Sequence, residues 1–119
     1  MVQFNDPSAD LNPDPALDLV FSALGDPTRR AMLIALREGE ASIGALAEPY
    51  GITLAGAAKH VEVLRRAGLV THRKVGRARL CRLEPGALKS AADWIRWHES
   101  FWQERMESLE RVLEEMEDE

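Results

Sequence analysis

From residue 14 onward, apolar positions recur at the three- and four-residue spacing of helices, with one interruption where the period shortens. Leu17, Val20, Phe21 and Leu24 form a stripe that predicts a first helix from about Asp14 to Leu24, stopped by Gly25. Asp26 and Pro27 then restart the chain as a cap followed by proline at the first helical position, where a missing N–H costs nothing. This second helix carries Ala31, Leu33, Ile34 and Leu36 and ends near Gly39. Ser42 caps a short third helix through Ile43, Leu46 and Ala47, closed by Pro49 and Gly51. Thr53 caps a fourth, Leu54 to Ala67, with Leu54, Ala57, Val61 and Leu64 facing inward. After Gly68 the period changes: residues 69–75 and 78–83 are short β-prone runs about Gly76–Arg77, which predicts a hairpin. Pro85 opens the longest helix, reaching about Met116, in which Leu88, Ile95, Trp102, Leu109 and Met116 recur every seven residues.

A short helix, a tight turn and a capped second helix make a helix-turn-helix unit, and a hairpin directly after it makes the winged variant. The predicted fold is therefore mainly α (α+β), a winged helix-turn-helix with a long C-terminal helix. Its organisation is a loose arm over residues 1–13 and one domain over 14–119, with 14–25 and 85–117 as dimerisation helices. Length agrees, since 119 residues make one core. A 45% hydrophobic and 29% charged composition excludes a disordered chain. No run of apolar residues is long enough to cross a membrane, and no secretory leader pattern opens the sequence, so no membrane partner is expected. Cys81 is the sole cysteine, which points to the cytoplasm.

The net charge of −5 speaks against a polyanion partner until it is placed. Residues 49–83 hold eight bases and one acid, Glu62, for a local charge of +7 between two acidic flanks. That stretch coincides with the fourth helix and the hairpin, the elements that a winged domain offers to DNA. Lys59 and Arg66 project nearly opposite the inward stripe and His60 lies on a flank, so all three are candidates for base edges or phosphates. Ala55 and Ala58 can pack on thymine methyls, and Thr53 caps the helix start. In the hairpin, Arg73, Lys74, Arg77 and Arg79 surround the tip and suit the minor groove or phosphate. Arg29 and Arg30 oppose the dipole at the start of the second helix, which calls for a nearby acid, Asp26 or Glu38, or a phosphate.

Two stretches, FSALGDPTRRAMLIAL (21–36) and IGALAEPYGITLAGAAKHVEVLRRAGLVTHRKVGRARLCRL (43–83), resemble the ArsR family of bacterial winged-helix transcription factors. Residues 94–115, WIRWHESFWQERMESLERVLEE, are similar to the last helix of a branch without an evident metal site. The resemblance implies a homodimeric repressor that binds double-stranded operator DNA. Relatives in that branch read serine, leucine, proline, alanine, valine, serine, lysine, histidine at the start of the recognition helix. This chain reads Thr53, Leu54, Ala55, Gly56, Ala57, Ala58, Lys59, His60, and so lacks the hydroxyl expected at position 58.

The family's metal sites set a further test. The third helix has no cysteine pair, and the last helix offers Asp93, His98 and Glu99 without a second histidine, so no cofactor or metal is expected within a chain. An intersubunit carboxylate and histidine site stays open as an alternative. So does a winged domain serving as a protein-interaction adaptor. No phosphate loop or nucleophile set is present, so an enzyme is not expected. Leu17, Val20 and Phe21 with Leu88, Ile95 and Trp102 predict the dimer interface. Trp94, Trp97, Phe101 and Trp102 belong either to that interface or to a pocket for an apolar small-molecule inducer.

Overall fold

The computed structural model describes residues 14–118. The arm predicted for residues 1–13 lies outside them. Helix α1 (Pro15–Leu24) leads through Gly25 into α2 (Pro27–Ala35), which tightens into a 3-10 turn over Leu36–Glu38. Strand β1 (Ala41–Ser42) precedes α3 (Ile43–Ala47) and a second 3-10 turn, Glu48–Tyr50. Then come α4 (Leu54–Arg66), β2 (Val70–Val75), β3 (Ala78–Leu83) and α5 (Pro85–Glu117). This is the predicted winged helix-turn-helix order with one addition. The two residues of β1 pair antiparallel with β3, Ala41 opposite Cys81 and Ser42 opposite Leu80, giving a sheet ordered β1-β3-β2. A two-residue strand has no readable period, and Ser42 was legible only in its second role as the cap of α3, accepting from the Ala45 N–H at 3.1 Å.

Local chemistry sets the helix ends. Asp14, Asp26, Ser42 and Thr53 each accept a backbone N–H from the first turn of the helix that follows. At the end of α4, Gly68 takes a left-handed φ of 77°, while the Leu69 N–H reaches back to the Leu64 carbonyl at 3.0 Å. The paired 6→1 and 5→2 bonds are a Schellman stop, which turns the chain directly into β2. At the hairpin tip, Gly76 has φ 59°, the positive value that the first central residue of a type II′ turn requires.

The core collects Val20 and Ala23 from α1, Met32, Leu33 and Leu36 from α2 and its turn, and Leu46 from α3. Ala47 of α3, Ala57, Val61 and Leu64 of α4, Ala67 and Leu69 of the turn that follows it, Val70 and Cys81 of the wing, and Ala91 of α5 complete it. No polar or charged side chain among the described residues is buried with them. Three assignments differ from the sequence reading. Met32 is fully buried whereas Ile34 is 60% exposed, because α2 presents the Met32–Leu33–Leu36 edge to its neighbours. Leu54 is 64% exposed: it keeps the stripe's period but stands in the first turn of α4, on the wall of an open cleft. Val20, expected in a dimer interface, is 2% exposed in the single chain and belongs to its core.

Helix α5 dominates the outline. The Cα radius of gyration is 20.3 Å, against about 13 Å for a compact domain of this size. Only its first third packs on the body, against α1, and Ala91 is its one buried residue.

Truncating Met32 to alanine is expected to cost about 2–5 kcal/mol of stability. The Ile34→Ala change should stay within about 0.5 kcal/mol, as at an ordinary surface site. Urea denaturation of both chains at one protein concentration measures the contrast. Equal losses would mean that α2 does not turn its Met32 edge to the core in preference to Ile34.

Candidate nucleic-acid interface

The buried edge of α4 fixes its outer face. With Ala57, Val61 and Leu64 turned inward, Ala55, Ala58 and Lys59 lie exposed on the outside. The Thr53 hydroxyl accepts the Gly56 N–H at 3.0 Å, so the cap predicted there is formed. A cleft of about 440 Å³ separates this face from the wing tip, with Leu54 and Ala58 on one wall and Arg77, Ala78 and Arg79 on the other. Recognition-helix and hairpin candidates therefore share one side of the molecule.

The eight bases of residues 49–83 are not equivalent. Glu62 takes Arg65 through two bonds of 2.8 and 2.7 Å and Arg66 through a third of 3.0 Å. These bonds hold the Glu62 carboxyl down at about 2. Arg73 donates twice to Glu40, at 3.1 and 3.0 Å, and lowers the pKa of that carboxyl as well. Arg79 reaches Nδ1 of His72 at 3.2 Å. Lys59, Lys74 and Arg77 make no ion pair among the described residues. Glu62 was legible as a clamp from its three- and four-residue spacing to the arginines. Glu40 was not, since it is distant in sequence from Arg73.

His60 is placed differently from Lys59. Its Nδ1 lies 3.3 Å from Nη1 of Arg29 and 3.9 Å from Asp26, so the ring leans on the start of α2. A guanidinium has only donors, so the tautomer that accepts from Arg29 at Nδ1 carries its proton on Nε2 and keeps one donor for an outside group. Arg29 and Arg30 satisfy neither acid chiefly. Arg29 donates through Nε to the Ala23 carbonyl at 2.8 Å and through Nη2 to that of Ser22 at 3.1 Å. Arg30 donates to the Leu24 carbonyl at 2.6 Å. Both cations thus close the C-terminal end of α1, the electronegative end of its dipole, which offsets their unfavourable place on α2.

The aromatic residues of α5 form a ridge. Trp94 stacks on His98 with centroids 3.9 Å apart and meets Phe21 of α1 edge-on at 5.5 Å. Trp97 also abuts His98, Trp102 abuts Phe101, and the Arg105 guanidinium lies 4.7 Å over the Phe101 ring. Cys81 is fully buried, and burial pushes its thiol pKa up, the setting of an inert strand residue.

A helix-turn-helix domain family matches residues 24–73. The crystal structure of an ArsR family transcriptional regulator, RHA00566, superposes with a TM-score of 0.70 at 34% identity, covering 74% of this chain and 91% of that one. The chain belongs to the ArsR family. The transcriptional repressor SdpR of Bacillus subtilis is 29% identical over 76 residues, which span 64% of this chain and 84% of SdpR. The homodimeric winged helix-turn-helix DNA-binding domain Mb0332 of Mycobacterium bovis is 26% identical with a TM-score of 0.57, over 87% of this chain and 92% of that domain. In this ArsR-family chain, no group of three or more histidine, cysteine or carboxylate side chains among the described residues is placed to hold a metal ion. No described helix is long and apolar enough to cross a membrane.

Because the Glu62 carboxyl is held at about 2, its ion pairs are intact at and above its ordinary 4.5 and are lost as pH falls through the lowered value. Carboxyl-carbon NMR should find Glu62 titrating near 2 in the parent, and near 4.5 in an Arg65→Gln/Arg66→Gln chain. An unchanged midpoint would mean that the arginines do not hold it.

Proposed function

We propose that the chain is a homodimeric repressor that binds operator DNA through α4 and the wing, without control by metal. The observation that carries this reading is the cleft that Leu54 and Ala58 of α4 share with Arg77 and Arg79 of the hairpin tip, with Lys59, Lys74 and Arg77 outside every ion pair among the described residues. Lys59 and the Nε2–H of His60 are given to base edges, Ala55 and Ala58 to thymine methyls, and the capped start at Thr53 to a phosphate. Arg77 and Lys74 are given to the minor groove and backbone. Arg66, Arg73 and Arg79 join them as phosphate partners, the first two by exchanging Glu62 and Glu40 for phosphate. Dimerisation is given to α1 and α5, with Leu17, Phe21, Leu88, Ile95 and Trp102. The repressor role follows SdpR, and the homodimer follows Mb0332. We place the ridge of Trp94, Trp97 and Phe101 beside that interface rather than in an inducer pocket, because Trp94 is already packed between Phe21 and His98.

The roles divide by measurement. Arg77→Ala should weaken binding to every duplex alike and reduce the salt slope by about 1. Lys59→Ala should relax preference at particular base pairs, at about 1–3 kcal/mol per lost contact. Selection from a random duplex library, with the salt dependence of the winners, reads both. A Lys59→Ala chain that returns the parental motif removes base reading from that residue. Footprinting of the gene's upstream region tests the whole reading: a repressor protects a discrete site, whereas a protein-interaction adaptor protects none.

Ala58 offers a further check. It borders the open cleft, so a serine fits there without displacing the core. A hydroxyl restored by Ala58→Ser should tighten operator binding by about 0.5–1.5 kcal/mol, the net worth of one hydrogen bond. Competition between operator and scrambled duplex at fixed salt measures it. Weaker binding by the serine chain would show that the methyl itself is read.

A further inference from the structure

A second cavity, of about 400 Å³, adjoins the cleft between α4 and the wing, and Ile43, Ala58 and Arg79 line both spaces. Its volume falls within the range of about 300–1,000 Å³ common for small-molecule sites. Val61, 2% exposed, gives it an apolar floor, and Arg65, His72 and Arg79 line its walls with one acid, Glu62. Three features of these walls call for an anion. Arg79 makes no ion pair among the described residues, and its guanidinium lies 3.2 Å from Nδ1 of His72. The tautomer that accepts there carries its proton on Nε2, a further donor. Lys74 stands opposite Arg79 in the register of β2 and β3, and like charges facing each other across two strands repel. Arg65 is the third. It shares Glu62 with Arg66, which stays on Oε2 at 3.0 Å, so the carboxylate keeps a partner when Arg65 turns to another anion. Two guanidinium forks on one anion suit the several oxygens of a phosphate better than the two of a carboxylate.

We propose that this inner cavity binds a free phosphate-bearing small molecule through Arg65, His72 and Arg79, and that the bound anion withdraws Arg79 from DNA. The site stands on the cavity and its side chains, whereas its effect on DNA rests on the repressor reading above. A backbone phosphate of a duplex offers the same chemistry. The capped start of α4, given above to the duplex, lies about 18 Å of helix away from Arg65 at ~1.5 Å per residue. A duplex docked at that start leaves the inner cavity to a free anion. Arg79 lines both spaces, so occupation of the inner one is felt in the outer.

Pyrophosphate is the probe, titrated into the full chain at constant ionic strength by calorimetry while NMR follows the His72 ring. One site per chain is expected, with a Kd below about 1 mM and a shift of the His72 signals. No saturation, or saturation that leaves His72 unmoved, overturns the proposal. Arg65→Gln should weaken uptake about tenfold, through loss of one charge-assisted hydrogen bond. Glu62→Gln should tighten it about threefold, since the competing carboxylate is gone. Asp93→Asn makes the same change of charge at a carboxylate that also holds two bases, Lys89 and Arg96, but on α5 and outside the cavity. It should alter uptake by less than about twofold. Equal tightening by Glu62→Gln and Asp93→Asn would mean diffuse attraction in place of a site and would sink the idea. With the gene's upstream duplex, pyrophosphate should release the parent at a concentration at which the Arg65→Gln chain stays bound. If Arg65→Gln instead weakens duplex binding about tenfold while taking up pyrophosphate as the parent does, the cavity holds backbone phosphate and the free ligand is refuted. A parent that takes up pyrophosphate at His72 yet binds no duplex retains the site and removes the repressor reading.

Discussion

The inner edge of α4 is the contact on which the arrangement of the whole site depends. Ala57 and Leu64 are fully buried and Val61 is 2% exposed, so this short edge is held by α1, α2, α3 and β2 at once. Ala57 matters by being small, since a methyl at that point lets neighbouring elements approach closely. Rotation about the helix axis would drive charged residues into a core that contains none. The phase of α4 is therefore settled by packing, and the outward direction of Lys59 and Ala58 follows from it. The Schellman stop at Gly68 extends the same rigidity to the wing, because each of the three residues joining α4 to β2 donates its N–H back into α4.

Electrostatics then sorts the basic surface into two kinds of charge. Arg65, Arg66 and Arg73 are held by Glu62 and Glu40, in exposed ion pairs that water and salt screen and whose worth in stability is small. In the proposed reading they hold guanidinium groups at set positions until phosphate replaces the carboxylate. Lys59, Lys74 and Arg77 stand without such pairs among the described residues, and Arg77 lines the cleft between α4 and the wing. Arg29 acts on another level. It ties the end of α1 to His60 on α4, so the helix proposed for dimerisation and the helix proposed for DNA share a side chain.

The long helix inverts the usual relation of surface to core. Its first turns are anchored through Ala91 and the Trp94–Phe21 contact, and the rest leaves the body with its apolar seam uncovered. Such a seam is poorly compatible with a lasting monomer, because ordering a lone helix costs conformational entropy that no burial returns. If a second copy covers it, as proposed, the pairing would supply the second winged unit that a two-fold DNA reader needs.

Most elements were legible in the sequence because period and capping are set by neighbours within one or two turns. The caps at Asp26, Ser42 and Thr53, the stop at Gly68, the Gly76 hairpin and the seven-residue repeat of α5 all belong to this class. So does the fourth helix with its Ala57, Val61 and Leu64 edge, and the grouping of basic residues on it and the wing. Tertiary structure decided what those rules leave free. It chose Met32 over Ile34 for the core, took Val20 inward and left Leu54 outside, since adjacent stripes differ only by which neighbour covers them. It paired β1 with β3, Arg73 with Glu40 and Arg29 with the α1 carbonyls and His60. Charge and short strands carry no address in the chain, and their partners are fixed only when the folded backbone brings distant residues within hydrogen-bonding distance.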